Sequence, residues 1–167
     1  MDQMSYRCPE EYPLPERLTK NAYYARVLLP AYSGQVSELT AVNQYFFHHL
    51  VAGETNPQIS AGLLGIAMVE IQHLDLLGTC IRQLGVQPRY HYFRGSRSQY
   101  WSTGFVSYGN TLGKMLQADI QGEYDAIEQY KYAVRSIREP HIQRLIRRII
   151  DDEMLHIEIL QSYLLTL

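Results

Sequence analysis

Two stretches of the sequence repeat one motif that combines a carboxylate with an imidazole. It reads Glu70-Ile-Gln-His73 in the first stretch and Glu153-Met-Leu-His156 in the second. On a helix of about 3.6 residues per turn, side chains three positions apart lie next to each other on one face. Each motif therefore offers a metal ion one hard oxygen ligand and one borderline nitrogen ligand, a combination that suits iron or manganese.

A further carboxylate precedes each copy of this motif. Glu38 is followed seven residues later by Tyr45, and Glu123 is followed seven residues later by Tyr130. The chain thus contains the pattern Glu-x6-Tyr and then Glu-x2-His twice, with 24 residues between the two parts in the first copy and 22 in the second. A duplicated helical hairpin of this kind predicts four carboxylates and two imidazoles around a pseudo-two-fold axis, the symmetry that a pair of metal ions requires.

The charge of these side chains supports a metal site. Four inward-facing carboxylates would bury four negative charges, and each would cost several kcal/mol unless a cation compensated it. Two divalent ions cancel the set and keep positions open for water, dioxygen or peroxide. Zinc or copper would bind such ligands more tightly than iron or manganese, so the ligands alone do not name the metal. The predicted cofactors are two ions of iron or manganese, and the predicted ligands are Glu38, Glu70, His73, Glu123, Glu153 and His156.

Other polar residues are assigned to ordinary roles, because a single histidine or a single charged helix face is more often structural than functional. The four histidines without a matched partner are predicted to be loop or surface residues: His48, His49, His91 and His141. A group of arginines is predicted to form a solvated helix face or an interface patch: Arg144, Arg147 and Arg148. Asp75 and Glu158, two residues after each motif histidine, are predicted to lie off the metal face.

The sequence predicts that four long helices position these residues. Apolar periodicity predicts helices over residues 33–52, 57–84 and 110–137, and from 140 nearly to the C-terminus. Pro57 and Pro140 fit the first turns of the second and fourth helices, and Gly85 fits the end of the second. Short loops join helices one and two, and three and four, which predicts an all-α fold, an antiparallel four-helix bundle.

The remaining segments are predicted to flank or cross this bundle. Residues 1–15 read as an irregular arm, and residues 16–30 as a short helix that ends at Pro30. Residues 86–108 form a long aromatic crossover between helices two and three, and strand signals are weak throughout. The predicted organisation is an N-terminal arm and short helix over 1–32 and the bundle with its di-metal site over 33–167.

Composition excludes several other classes. The chain has 167 residues, 46% of them hydrophobic, and a net charge of −2, so we expect one globular domain and no nucleic-acid partner. It contains no uninterrupted apolar run of 18 residues, and its first residues lack the features of a signal peptide, so we expect a cytoplasmic protein with no membrane partner. Two isolated cysteines, Cys8 and Cys80, exclude a disulfide scaffold and a cysteine-ligated metal module.

The six-ligand pattern over about residues 33–165 resembles the ferritin-like di-metal carboxylate proteins, in which two helices each give a Glu and two others each give Glu-x-x-His. Within that superfamily, Tyr45 and Tyr130 are similar to the tyrosines near the rubrerythrin site, and the resemblance makes them the expected catalytic residues. Rubrerythrins reduce hydrogen peroxide at a di-iron site and usually carry a carboxylate three residues after the third-helix Glu, where this chain has Ala126.

Two other branches share features with this sequence. Manganese catalases and related spore-coat proteins resemble it over residues 33–39, Ser-Gly-Gln-Val-Ser-Glu-Leu, and in the aromatic crossover that contains Trp101 and Phe105. Bacterioferritins and ferritins, which store iron in cages, resemble it in the Asp152 that directly precedes Glu153.

The resemblance implies an oxidoreductase that acts on hydrogen peroxide or dioxygen, with an external electron donor if it is a peroxidase. It also implies a homo-oligomer. The alternative is a non-catalytic metal-binding, storage, coat or scaffold protein built on the same bundle.

Overall fold

The computed structural model describes residues 6–13 and 17–167 and shows a helical bundle with one small β-hairpin. The helices of this part of the chain are α1 (Ala22–Ser33), α2 (Glu38–Ala52), α3 (Pro57–Gln83), α4 (Leu112–Ser136) and α5 (Pro140–Leu164). The hairpin consists of β1 (His91–Arg94) and β2 (Arg97–Tyr100), and a single 3-10 turn follows it at Thr103–Phe105. α2 packs on α3 and α4 packs on α5 as two antiparallel helical hairpins, so the predicted all-α bundle is confirmed.

Side-chain caps define where the four long helices begin. Ser37, Asn56, Thr111 and Glu139 each accept a hydrogen bond from a backbone N–H in the first turn of α2, α3, α4 and α5, respectively. The predicted starts at Pro57 and Pro140 are confirmed. α2 starts at Glu38 and not at residue 33, because Ser33 still belongs to α1 and Ser37 provides the cap.

The predicted end of the first short helix at Pro30 is wrong. α1 begins at Ala22 and continues through Pro30 to Ser33. Proline lacks one N–H and so removes one helical hydrogen bond, but in the last turn the rest of the ladder survives, and the N–H of Gly34 still donates to the Pro30 carbonyl at 2.8 Å. Burial of Ala31 and Tyr32 against the bundle stabilises this last turn.

The crossover contains strands that the sequence analysis did not predict. β1 and β2 pair antiparallel, with His91 opposite Tyr100 and Arg94 opposite Arg97. The two-residue turn is Gly95-Ser96, and Gly95 adopts a φ of +63°, which glycine reaches at no steric cost. A Gly-Ser pair is itself a signal for a two-residue hairpin turn, so the strands could have been predicted from it.

The apolar core consists of two clusters at different levels of the bundle. One joins α1 to parts of α3, α4 and α5 and includes Leu28, Ile81 and Ile146. The other lies between α2, α3 and the distal part of α5 and includes Leu63 and Leu160. Along α3 and α5 the motif residues fall between these clusters, so a polar layer separates two apolar ones.

α3 is long and apolar enough to cross a membrane when only its length and composition are considered. Fifty-six per cent of its most apolar window is buried inside the bundle. The helix also carries Glu70 and His73, both buried among the other helices. Its apolar surface is therefore that of a core helix.

Candidate metal centre

The four long helices bring all six predicted ligands together inside the bundle. α2 contributes Glu38, α3 contributes Glu70 and His73, α4 contributes Glu123, and α5 contributes Glu153 and His156. Each of these residues is 4% exposed or less. The i, i+3 spacing in α3 and α5 puts each Glu beside its own His, at 3.2 Å and 3.1 Å between carboxylate oxygen and Nδ1.

The ligand atoms form two overlapping groups of four. In each group, all four atoms lie within 4.8 Å of one another. Glu70 and Glu153 belong to both groups, so these two carboxylates would be shared between the two metal ions. The other members are terminal: Glu38 and His73 in one group, Glu123 and His156 in the other. This arrangement has the pseudo-two-fold symmetry of the sequence repeat.

The hydrogen-bonding state of the cluster fits a pair of metal ions. Among the described residues, Glu70 Oε1, Glu153 Oε2 and His156 Nδ1 are buried without a hydrogen-bond partner. The His156 Nδ1 nevertheless lies 2.9 Å from Glu70 and 3.1 Å from Glu153, without the angles of a hydrogen bond. Lone pairs that converge on one point and lack donors are costly when buried, and cations between them would remove that cost.

The pKa values of the cluster residues also support a metal site. Burial, together with the charges of neighbouring carboxylates, raises the pKa of Glu38 well above its usual range and that of Glu123 to about 8. Burial alone would lower the pKa of His73 and His156, but the surrounding carboxylates outweigh it and raise both pKa values well above 6.5. Protons therefore compensate the buried negative charge when no metal is bound, and metal binding must displace them.

The two predicted tyrosines pair crosswise with the terminal carboxylates. Tyr45 of α2 donates its hydroxyl proton to Glu123 of α4, and Tyr130 of α4 donates to Glu38 of α2. Both rings are buried, and burial and the charge of Glu123 raise the pKa of Tyr45 well above its usual range. Each phenol thus keeps its proton and fixes the orientation of one carboxylate.

A cavity of about 270 Å³ reaches the cluster between α2 and α4. All four glutamates and both tyrosines line its inner end. Small residues of the two helices, Ala41, Ala118, Gly122 and Ala126, line its walls, and Phe105 of the crossover lines it as well. His73 and His156 are not among the residues that line it, so the cavity meets the cluster at its carboxylates.

The outer side of the centre is covered by a segment that the sequence analysis did not connect with the site. We call residues 6–13 the strap. Its Tyr12 hydroxyl lies 3.3 Å from His73 Nε2 and donates to Asp152 at 2.7 Å. The Tyr6 carbonyl lies 2.9 Å from His156 Nε2. No sequence signal identifies these contacts, since about 140 to 150 residues separate the strap from α5.

Arg148 and His48 correct two further predictions. Arg148 is buried and pairs with Asp152 at 2.7 Å, whereas Arg144 and Arg147 are exposed as predicted. The i, i+4 spacing of Arg148 and Asp152 was the available signal. His48 is fully buried, with Nδ1 2.9 Å from Asp119 and Nε2 2.7 Å from the Ser107 carbonyl. Its partner is 71 residues away, so local sequence does not show it.

The other residues assigned to ordinary roles match their predictions in part. Asp75 and Glu158 are exposed on the outer faces of α3 and α5, and His141 is exposed at the start of α5. His49 is half-buried and bonds to Ser60 at 2.8 Å, so it joins α2 to α3 and is not a free surface residue.

The bundle and the buried carboxylate–histidine cluster define a ferritin-like di-metal carboxylate protein, whose cofactors are two ions of iron or manganese. The Rubrerythrin family model matches residues 32–164, and the chain belongs to this family.

The chain is also similar to two named proteins, a bacterioferritin in sequence and structure and a manganese catalase in structure. Bacterioferritin BfrA of Mycobacterium tuberculosis (strain ATCC 25618 / H37Rv) is 28% identical over 132 residues, which are 77% of each chain. Its solved structure aligns with a TM-score of 0.73 at 25% identity and covers 89% of this chain and 88% of that one. KatB, a manganese catalase from Anabaena, aligns with a TM-score of 0.85 at 20% identity and covers 98% of this chain and 80% of its own. The likeness to KatB shows the shared fold.

Proposed function

We propose that this protein is a di-metal oxidoreductase that acts on hydrogen peroxide or dioxygen, with Glu38, Glu70, His73, Glu123, Glu153 and His156 as its metal ligands. The observation that carries the proposal is the cavity that ends on the carboxylate side of the cluster. A purely structural metal site is closed, whereas a catalytic site keeps a position for substrate. When bound, iron or manganese supplies electron exchange with the substrate and stabilises developing negative charge.

The chain's own residues select the substrate and hold the protons. Small side chains on the cavity walls, such as Ala41 and Gly122, leave room for a small molecule beside the carboxylates. Tyr45 and Tyr130 hold protons beside Glu123 and Glu38, at the inner end of the cavity where a peroxide or dioxygen oxygen atom would arrive. These hydroxyls can orient the substrate and hold the carboxylates beside it in place.

The proposal extends to the surroundings of this activity. Cys8 and Cys80 are both free thiols, which suits the reducing cytoplasm. The outer faces of α2 and α3 expose Phe46, Leu50 and Met68, which suits self-association into a homo-oligomer. A peroxidase reaction would also need an external electron donor.

The second candidate function is metal storage, or a non-catalytic scaffold, on the same bundle. The relative bacterioferritin BfrA favours this alternative, because it shares sequence with this chain over 77% of its length. In that case the site would oxidise or hold iron without sustained turnover of peroxide.

Peroxide consumption by the protein loaded with manganese or with iron tests these functions. Oxygen release without a reductant supports a catalase, and consumption only with a reductant supports a peroxidase. If peroxide is not consumed in either case but ferrous iron is oxidised faster than in buffer, the storage function is favoured. If neither reaction exceeds the buffer rate, the oxidoreductase proposal is wrong.

A further inference from the structure

The strap is attached to α5 by a dense set of hydrogen bonds around Asp152. The Asp152 carboxylate accepts from the Cys8 N–H at 2.7 Å and from the Tyr12 hydroxyl at 2.7 Å, and it pairs with Arg148 at 2.7 Å. The Arg148 guanidinium in turn donates to the carbonyls of Cys8 and Glu10, at 2.6 and 2.8 Å, and lies over the Tyr12 ring. Because Arg148 compensates Asp152, the strap is docked by a paired, buried charge.

These contacts determine which nitrogen of His73 carries a proton. The single proton of the Tyr12 hydroxyl is donated to Asp152, so the Tyr12 oxygen can only accept from His73. The Asp152 carboxylate, 3.1 Å from His73 Nε2, can also only accept. Nε2 therefore carries a proton in either charge state of the ring, and Nδ1, which faces the carboxylate cluster, is the nitrogen that can give up its proton to bind metal.

The same argument holds for His156 with a different partner. Its Nε2 lies 2.9 Å from the backbone carbonyl of Tyr6, and a carbonyl only accepts hydrogen bonds. The proton is again on Nε2, and Nδ1 is directed at Glu70 and Glu153. Two residues of one segment thus assign the same tautomer to both histidines of the centre.

We propose that the strap is a positioning element of the metal centre, which fixes both histidines with Nδ1 available to metal, so that strap docking and metal binding stabilise each other. Tyr12 is its positioning residue, since it touches His73 and Asp152 but not the cavity. Coupling of this kind is reciprocal: whatever metal adds to strap docking, the docked strap adds to metal affinity. The proposal rests on the metal-binding part of the proposed function and not on peroxide turnover.

The strap contains a cysteine whose reactivity can report on strap docking. Cys8 is partly exposed, and its N–H is one of the groups bound by Asp152. Its Sγ lies 3.4 Å from the Asp151 carbonyl, so the thiol reaches reagent best when the strap lifts from α5. Cys80 is buried, and burial raises its pKa to about 12, which leaves it unreactive near neutral pH. Maleimide labelling of the folded protein therefore reports on Cys8.

Two variants weaken the strap by different means. Tyr12→Phe removes the hydroxyl that bonds to His73 and Asp152 but keeps the ring under Arg148. Gly65→Ala places a methyl group about 2.3 Å from the Tyr6 ring, so the ring and the strap must move. The matched controls are Tyr132→Phe, where the side chain is 57% exposed, and Gly113→Ala, where the nearest atom is at an ordinary 3.9 Å.

We expect Mn²⁺ to slow Cys8 labelling of the wild-type protein about tenfold or more. In Tyr12→Phe and Gly65→Ala this protection should shrink, and a chelator should remove Mn²⁺ some 10–100-fold faster, the range typical for groups that orient a metal ligand. The control variants should behave as wild type. Equal labelling with and without Mn²⁺, or test variants that match their controls, would overturn the proposal.

A spectroscopic measurement tests the tautomers directly. In protein labelled with 15N-histidine and loaded with diamagnetic Zn²⁺, we expect both ligand histidines to carry a proton on Nε2 and metal on Nδ1. The opposite tautomer at either histidine would contradict the proposal. Neither experiment measures peroxide turnover, so a protein without peroxidase or catalase activity could still confirm the coupling. A protein that binds neither Mn²⁺ nor Zn²⁺ would contradict both the proposed metal function and the coupling.

Discussion

The glutamates of the cluster differ in the number of ligand groups to which they belong. Glu70 and Glu153 belong to both ligand groups, whereas Glu38 and Glu123 each belong to one. A substitution at a shared position removes an oxygen and a negative charge from both ions at once. We therefore expect the four carboxylates, although chemically alike, to contribute unequally to metal binding.

We predict that Glu153→Gln lowers bound manganese from two ions per chain to less than one, and that Glu123→Gln leaves about one. Glu158→Gln, at an exposed position on the same helix, is the control and should keep two. Metal content after gel filtration measures the outcome, and circular dichroism checks that the helices persist, because the apolar faces stabilise the bundle. Equal losses in all three variants would contradict this ligand assignment.

Replacing Tyr45 or Tyr130 by Phe should have a milder effect. Each change deletes one hydroxyl that donates to a terminal carboxylate, while the buried ring still fills the core. We expect two bound ions and a free energy of unfolding lowered by about 1–3 kcal/mol, the cost of one unsatisfied buried acceptor. Peroxide turnover should fall but persist. Urea titration and a turnover assay on the same samples check both parts, and abolished metal binding would be the contrary result.

Protons and metal should compete for the centre. Glu123 has its pKa raised to about 8 by burial and neighbouring carboxylates, and both histidines have pKa values raised well above 6.5. A metal ion binds the deprotonated forms of these side chains, so Mn²⁺ affinity should increase as pH rises from 6 through 8. The stability of the metal-free protein should change in the opposite direction. Because the pKa of Glu123 is higher in the folded than in the unfolded state, protonation of Glu123 stabilises the fold at low pH, and this contribution is lost as pH rises from about 4.5 through 8.

Mn²⁺ titrations and chelator-treated urea titrations across this pH range test both signs. Flat Mn²⁺ affinity between pH 6 and 8 would show that the cluster is not protonated in the metal-free state.

The same residues show what the sequence could and could not predict about the site. The convergence of the six candidate ligands was predictable because each lies on a helix, where i, i+3 spacing fixes which side chains meet, and because the pattern occurs twice. The contacts of the Tyr12 hydroxyl and the Tyr6 carbonyl were not, since they reach the histidines from a segment without periodicity. His48 was missed for a different reason: its partner Asp119 is 71 residues away on another helix, so local sequence does not show the contact.

At the scale of elements, local signals set the four long helices and failed elsewhere. Caps and proline positions predicted the starts of α3 and α5 because they act within one turn. The last turn of α1 depends on burial of Ala31 and Tyr32 against other helices, which local rules do not contain. Tertiary packing decided that helix end, and it also decides how closely helices approach.

Close helix approach is testable at Gly62 of α3. A methyl group there would lie about 2.1 Å from the Tyr163 hydroxyl and 2.7 Å from its ring, and Tyr163 is buried on α5. We predict that Gly62→Ala lowers the free energy of unfolding by about 1–3 kcal/mol, because a packed core yields little to extra volume. Gly113→Ala, with its nearest neighbour at 3.9 Å, is the control. Urea unfolding in chelator measures both variants, and equal stabilities would mean that Tyr163 simply swings aside.

The whole molecule joins two apolar clusters through a layer of buried charge. The clusters stabilise the bundle by burial of apolar side chains, whereas the layer between them repels itself unless protons or metal compensate it. Folding and metal binding are thus linked in one domain. The strap extends this linkage to the N-terminal segment, which hydrogen-bonds to the outer nitrogens of both histidines.

Metal should therefore raise the thermal stability of the whole chain. A ligand that binds only the folded state adds about 2.7 kcal/mol at a hundred times its Kd, and each kcal/mol shifts the Tm of a domain of this size by roughly 2–4 °C. We predict that saturating Mn²⁺ raises the Tm by about 5–11 °C over chelator-treated protein at pH 7.5. Glu153→Gln should lose most of this shift, while Glu158→Gln keeps it, which separates binding at the centre from loose binding to surface acids. Differential scanning calorimetry of the three proteins makes the comparison, and equal shifts in all of them would show that the stabilising ions bind outside the centre.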